Sequence, residues 1–160
     1  MLNHNDDQSD FIIDPKLEVR NPELSEFLSY YTKQRGDRKF PGRSDIQPRD
    51  IVPLLPWIHM YNVENSDTFN IRLIGTEIAA LLPPNSAPGS ALALLPSPLY
   101  RRLQRGLETV LQLRAPIRSV SERSVLTARD FTGVESVFAP LSSNETDIDI
   151  IIAMTIFSKG

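Results

Sequence analysis

The chain contains no cysteine. That absence removes disulfides, thiolate zinc sites, iron–sulfur clusters and thiol nucleophiles in one step, and it is compatible with a reducing compartment. Histidine is almost as scarce: His4 and His59 are the whole supply, which leaves little for a metal site or a Ser-His-Asp triad. The 7 glycines are dispersed, so no closely spaced glycine loop stands ahead of a helix to cradle a phosphate. A basic excess is missing too. The formal net charge of -3 gives no overall attraction to nucleic acid or to anionic lipid. Nor is there a long hydrophobic run: the most apolar stretch, Ile148 to Phe157, is interrupted by Asp149 and is much shorter than the roughly 20 residues of a membrane helix. The N-terminus carries Asp6, Asp7 and Asp10 where a secretory signal needs basic residues and then an apolar run. The expectation is a cytoplasmic protein with neither nucleic acid nor membrane among its partners.

What is present is an ordinary globular mixture, 41% hydrophobic and 23% charged, which predicts a folded core. A chain of 160 residues supports one such domain but not a second, catalytic one, so any output passes through another protein or through self-association. Met1 to about Asp10 shows no periodicity, whereas Phe11, Ile12 and Ile13 form an apolar patch that should dock. Residues 1–20 therefore read as a flexible tail or docking segment and residues 21–160 as a single domain.

Asn21 is placed as N-cap and Pro22 as first residue of a helix that ends near Gly36. Leu24, Phe27, Leu28 and Tyr31 recur on one face of it. Pro41, Pro48, Pro53 and Pro56 restrict the next segment to short helical turns. Trp57 to Val63 and Thr68 to Ile74 read as a hairpin across Glu64-Asn65-Ser66-Asp67. A short helix from Thr76 to Leu82 ends at Pro83 and Pro84. A long one opens at Ser97 and Pro98, carries Leu99, Leu103, Leu107, Val110 and Leu111, and stops before Pro116. Three strands close the chain, about Ile117–Thr127, Val134–Leu141 and Ile148–Phe157, linked by Asp130-Phe131-Thr132-Gly133 and Ser142 to Thr146. The last strand is apolar on both faces, with Ile148, Ile150, Ile152, Met154 and Ile156 on one and Ile151, Ala153, Thr155 and Phe157 on the other. A sheet covered by helices on both sides satisfies this, which makes the class α+β.

Several segments are similar to a known family. Arg35-Gly36-Asp37-Arg38, Pro41, Arg43-Ser44-Asp45-Ile46 with Pro48, and Leu54-Leu55-Pro56 resemble the opening signature of a bacterial family of small single-domain PAS proteins of unknown function. Ile71-Arg72-Leu73-Ile74-Gly75-Thr76 resembles its second strand and the exit into a short helix. Gly89 and Ala139-Pro140-Leu141 match later positions, so the resemblance runs from about Asn21 to Phe157. Tyr31 stands where tryptophan is usual, and Pro88 where threonine is. The resemblance implies a five-stranded antiparallel sheet with helices inserted between strands 2 and 3 and an N-terminal helix. It also implies a homodimer and a ligand cavity between the sheet and the inserted helices, and it implies no reaction.

The residues themselves offer little catalytic chemistry, and no catalytic or metal-ligating residue is assigned. His59, on a buried strand, reads as a hydrogen-bonded structural residue. Histidine-ligated haem is disfavoured because Ser97 to Arg114 contains no histidine, and a cysteinyl-flavin adduct because there is no cysteine. Arg101, Arg102 and Arg105 read as a solvated helix face, and Gly106 as a point of close packing. Arg72 should point away from Phe69, Ile71 and Leu73, with Glu135 a candidate partner. The cavity wall expected from the apolar pattern is Ile71, Leu73, Leu81, Leu103, Leu107, Phe138, Ile152 and Met154, with His59, Asn62, Arg72 and Tyr100 as polar contacts. Leu24, Phe27, Leu28 and Tyr31 are candidates for the homodimer interface. The leading expectation is a non-enzymatic PAS-like sensory or regulatory module. It would bind a small, largely apolar organic ligand, with one carboxylate allowed, or contact a signalling protein in trans. The alternatives are a ligand-free dimeric adaptor and, last, a small cone-shaped α+β enzyme.

Overall fold

Six strands form one antiparallel sheet in the computed structural model, which describes residues 11–84, 86–122 and 131–159 apart from the side chains of 131, 132 and 159. The expectations for residues 1–10, including His4, and for the strand continuing through residues 123–127 lie outside the described residues. The order across the sheet is β1 (Ile12–Asp14), β4 (Ile117–Ser121), β5 (Phe131–Leu141), β6 (Ile150–Lys159), β2 (Ile58–Asn65) and β3 (Thr68–Ile74). The sixth strand comes from the docking segment. Ile12 pairs with Val120 and Asp14 with Arg118, so β1 satisfies backbone groups that β4 would otherwise present as an open edge.

The helices start and stop where local chemistry directs. The Asn21 side chain accepts the N–H groups of Glu23 and Leu24 at the head of α1 (Pro22–Arg35), and Gly36 at φ 60 closes it. The proline-rich connector makes three 3-10 turns, Arg43–Asp45, Pro48–Asp50 and Val52–Trp57. Gly75 leads into α2 (Thr76–Ala79), and only glycine fits there, since a Cβ would lie 2.3 Å from the Leu55 carbonyl oxygen. The helix α2 is shorter than the span expected to Leu82. The long helix α3 spans Ser97–Leu113 and ends at Arg114 in the left-handed conformation. No helix among the described residues is long and apolar enough to cross a membrane.

Strand alternation divides the core in two. Ile58, Met60, Val137, Ala139, Ile152 and Met154 face α1, where Leu24, Phe27 and Tyr31 pack with Ile46, Ile51 and Leu54. Tyr61, Phe138, Ile151 and Ala153 face the other way, toward Leu99, Leu107 and Val110 of α3 and toward Leu92 and Leu95. The two-sided reading of β6 therefore holds from Ile150 onward, while Ile148, before the strand begins, joins the α3 side.

A β-bulge changes β3. Met60 pairs with Leu73 but Tyr61 with Ile71, so Arg72 is the extra residue. Ile71 consequently faces α3 while Leu73 packs on the α1 side. Arg72 is exposed and donates to Asn62 Oδ1 at 3.0 Å; it does not pair with Glu135. The partner of Glu135 is Arg118, whose Nε lies 2.5 Å from Glu135 Oε2 and whose Nη1 lies 3.1 Å from Asp14 Oδ2. Glu135 also accepts the backbone N–H groups of Arg20 and Asn21, each at 2.9 Å. Burial by itself would raise the Glu135 pKa, but Arg118 and the two N–H groups hold it below the usual carboxylate range. This network joins β1, β4 and β5 to the start of α1.

Candidate functional site

A half-open cavity of about 70 Å³ lies between the sheet and the first half of α3. Its floor is formed by alternate residues of four strands: Ser119 and Ser121 of β4, Ser136 and Phe138 of β5, Thr155 of β6, and His59 and Tyr61 of β2. Ile78 and Leu82 close one side, and Leu99, Arg102 and Leu103 of α3 form the roof. Phe11, Val120, Val134 and Phe157 surround the remaining edge.

The floor carries a chain of hydrogen bonds. Tyr61 Oη lies 2.7 Å from His59 Nδ1, His59 Nε2 lies 2.8 Å from Thr155 Oγ1, and Thr155 Oγ1 lies 2.7 Å from Ser136 Oγ. The ring of Phe138 meets that of His59 edge-on at 6.0 Å. Burial favours uncharged imidazole and depresses the His59 pKa to about 3, and burial pushes the Tyr61 phenol up from its ordinary value. At neutral pH this chain is thus neutral, with each group held by the next.

The roof supplies a cation. Arg102 is 7% exposed and donates to Ser121 Oγ at 2.7 Å. Its guanidinium carbon lies 5.5 Å from the centroid of the Phe11 ring, and that of Arg105 lies 5.3 Å from the same ring. Arg105 also donates to the Phe11 carbonyl at 3.1 Å. Phe11 is therefore pinned at the cavity edge by two arginines, each within cation–π range.

Of the wall expected from sequence, His59, Leu103 and Phe138 line this cavity. Ile71 and Leu107 are on the same side of the sheet but do not line it: Ile71 borders a separate hollow with Pro83, Ala91 and Leu95, and Leu107 is 0% exposed in the core. Leu81 and Tyr100 do not line it either; the neighbouring Leu82 and Leu99 do. Leu73, Ile152 and Met154 face α1 instead, the first because of the bulge and the other two because strand alternation puts them on the opposite side from Ala153 and Thr155. Asn62 and Arg72 bond each other at the hairpin, away from the cavity. Leu24, Phe27 and Tyr31 are 0–1% exposed inside this chain's own core, and Leu28 packs against them. That face of α1 is therefore taken by the sheet and is unavailable to a second copy.

The sequence reading missed Phe11, Arg102 and the five hydroxyl residues of the floor, Tyr61, Ser119, Ser121, Ser136 and Thr155. Arg102 had a visible signal, since it stands three residues after Leu99 and four before Gly106, on the buried stripe of α3. Ser119, Ser136 and Thr155 stand on strand faces with apolar neighbours two residues away, but only the register, Ser119 opposite Ser136 and Ser136 opposite Thr155, aligns them. Gly106 packs against the Phe138 ring, but a Cβ there would meet it at 3.5 Å, an ordinary van der Waals contact, so the close approach expected at this glycine is not one that excludes a side chain. Among the described residues no cluster of three or more His, Cys, Asp or Glu could hold a metal ion.

No curated protein and no solved structure matches the chain. A family model described as a PAS domain matches residues 19–155, a span that begins just before α1 and takes in both helical covers, the cavity floor and nearly all of the sheet. With that match over most of its length, on an antiparallel sheet whose last strand β6 lies beside β2 and whose long helix α3 is inserted between β3 and β4, the chain belongs to the PAS domain family.

Proposed function

We propose that this PAS domain is a sensory module that admits a small molecule to the cavity beneath α3 and passes the change to another protein. PAS domains are in general sensory and regulatory modules, and the family supports that much directly. The observation that carries the ligand reading is the cavity itself, half-open, walled mostly by apolar groups and floored by oriented polar ones, the combination that small-molecule sites use. At about 70 Å³ it lies well under the ~300–1,000 Å³ of drug-sized sites, so its occupant is small.

The site favours binding over catalysis. A general acid or base works best with a pKa near the operating pH, and His59, at about 3, does not meet that condition. Phe11 offers a path for output, because it borders the cavity and leads directly into β1, a three-residue edge strand. A partner contact, whether with a signalling protein or with a second copy in a homodimer, would use surfaces other than the covered face of α1. The test is a thermal-shift screen of the purified chain against small neutral and anionic metabolites, followed by native mass spectrometry. Saturable stabilisation with a one-to-one adduct is expected. A bare chain with no hit would leave the ligand-free adaptor as the reading.

A further inference from the structure

We infer that the molecule accepted beneath α3 is small, uncharged and mostly apolar, and carries one oxygen that hydrogen-bonds to Ser119; this rests on the ligand-binding reading above. Ser119 is 4% exposed and lines the cavity. Its hydroxyl makes no hydrogen bond among the described residues, whereas the other polar groups of the floor are engaged. Ser119 begins a rung that runs across the sheet through Ser136 and Thr155 to His59. At Ser136, Thr155 and His59 each side chain has a neighbour to bond. At Ser119 the rung opens onto cavity space.

The Ser119 hydroxyl opens onto the half-open cavity and is not sealed from water, the one fully buried unpaired side-chain polar atom among the described residues being Arg118 Nη2, so a ligand oxygen there takes the place of water. A partner with an oxygen at that point completes the rung. The rest of the molecule meets Phe138, Leu99, Leu103 and Leu82, which reward apolar surface. A carboxylate would give up its hydration against a neutral floor, facing a roof arginine whose contacts are already made. The one arginine of the roof is aimed at Ser121 and stacked on Phe11, at the cavity edge.

Calorimetric titration of the full chain with phenol, benzene and benzoate tests this, since the three share a ring and differ in the oxygen. Phenol is expected to bind about five- to tenfold more tightly than benzene, the worth of one net hydrogen bond, and benzoate most weakly. Ser119→Ala should bring phenol down to the benzene affinity and leave benzene unchanged, which also shows that the variant is folded with its cavity intact. Equal affinities of phenol and benzene for the unaltered chain would overturn the role of Ser119, and tightest binding of benzoate would overturn the neutral class in favour of an anion at Arg102; in both cases the ligand-binding reading survives. If none of the three binds while a larger metabolite does in the thermal-shift screen, this inference fails alone. If nothing binds in either experiment, both fall.

Discussion

The two faces of one sheet differ by a single step of strand alternation, yet only one of them leaves a cavity with a polar floor. On the α1 face, Ile58, Met60, Val137, Ala139, Ile152 and Met154 meet Leu24, Phe27 and Tyr31, all of them nearly or completely buried. One residue along the same strands, His59, Ser136 and Thr155 turn to the α3 face, where the packing stops short and leaves a cavity. The first face resembles a well-packed interior, in which each methylene counts. The second is packed as well around Leu107, Val110 and Ile151, but beside them it leaves a cavity floored by oriented polar groups, the site proposed for a ligand.

Truncation should separate the faces most strongly. Phe27→Ala removes a ring that is 0% exposed and is expected to cost ~3–5 kcal/mol in urea unfolding, whereas Leu103→Ala, at a wall that already borders empty space, should cost about half as much. Similar losses at the two sites would remove the distinction. Acid should act next, and through the α3 face first. His59 has a folded pKa of about 3 against an ordinary value of 6.5, so below pH 6.5 the unfolded chain takes up a proton that the folded chain refuses. Stability from this group is complete above pH 6.5 and falls by about 1.4 kcal/mol per pH unit down toward pH 3. His59→Gln should flatten that slope between pH 6.5 and 5, before the carboxylates titrate; an unchanged slope would mean that His59 is not held neutral by burial. The smallest effect is expected from filling. Leu103→Phe should be accepted within about 1 kcal/mol and should block ligand binding, whereas Leu24→Phe beneath α1 should cost ~1–3 kcal/mol from overpacking. Equal penalties would mean that the space beneath α3 is already full.

Much of this division could be read from sequence, and the misses have physical causes. Asn21-Pro22 and Gly36 bounded α1 because cap chemistry is local, and the period-two pattern of β6 told its two faces apart. Leu73 went to the wrong face because a bulge at Arg72 breaks a period that sequence alone presents as continuous. The strand β1 was legible only as an apolar patch, since three residues cannot establish a period. The polar floor was hidden for another reason: Ser119, Ser136 and Thr155 are remote in sequence and are aligned by strand register, which depends on the assembled sheet. Arg102 was misread because a charge suggested solvent, although its position on the Leu99–Gly106 stripe placed it inside.

The asymmetry between the faces is tested most directly by a crystal of the chain pressurised with xenon, which settles in apolar cavities that protein atoms leave empty. The account predicts a xenon peak beneath α3, beside Leu103 and Phe138 and at the edge of the Ser119–Ser136 rung, and none beneath α1. A peak among Phe27, Tyr31 and Met154, or no xenon at all with Leu103 and Phe138 closed over the floor, would contradict it.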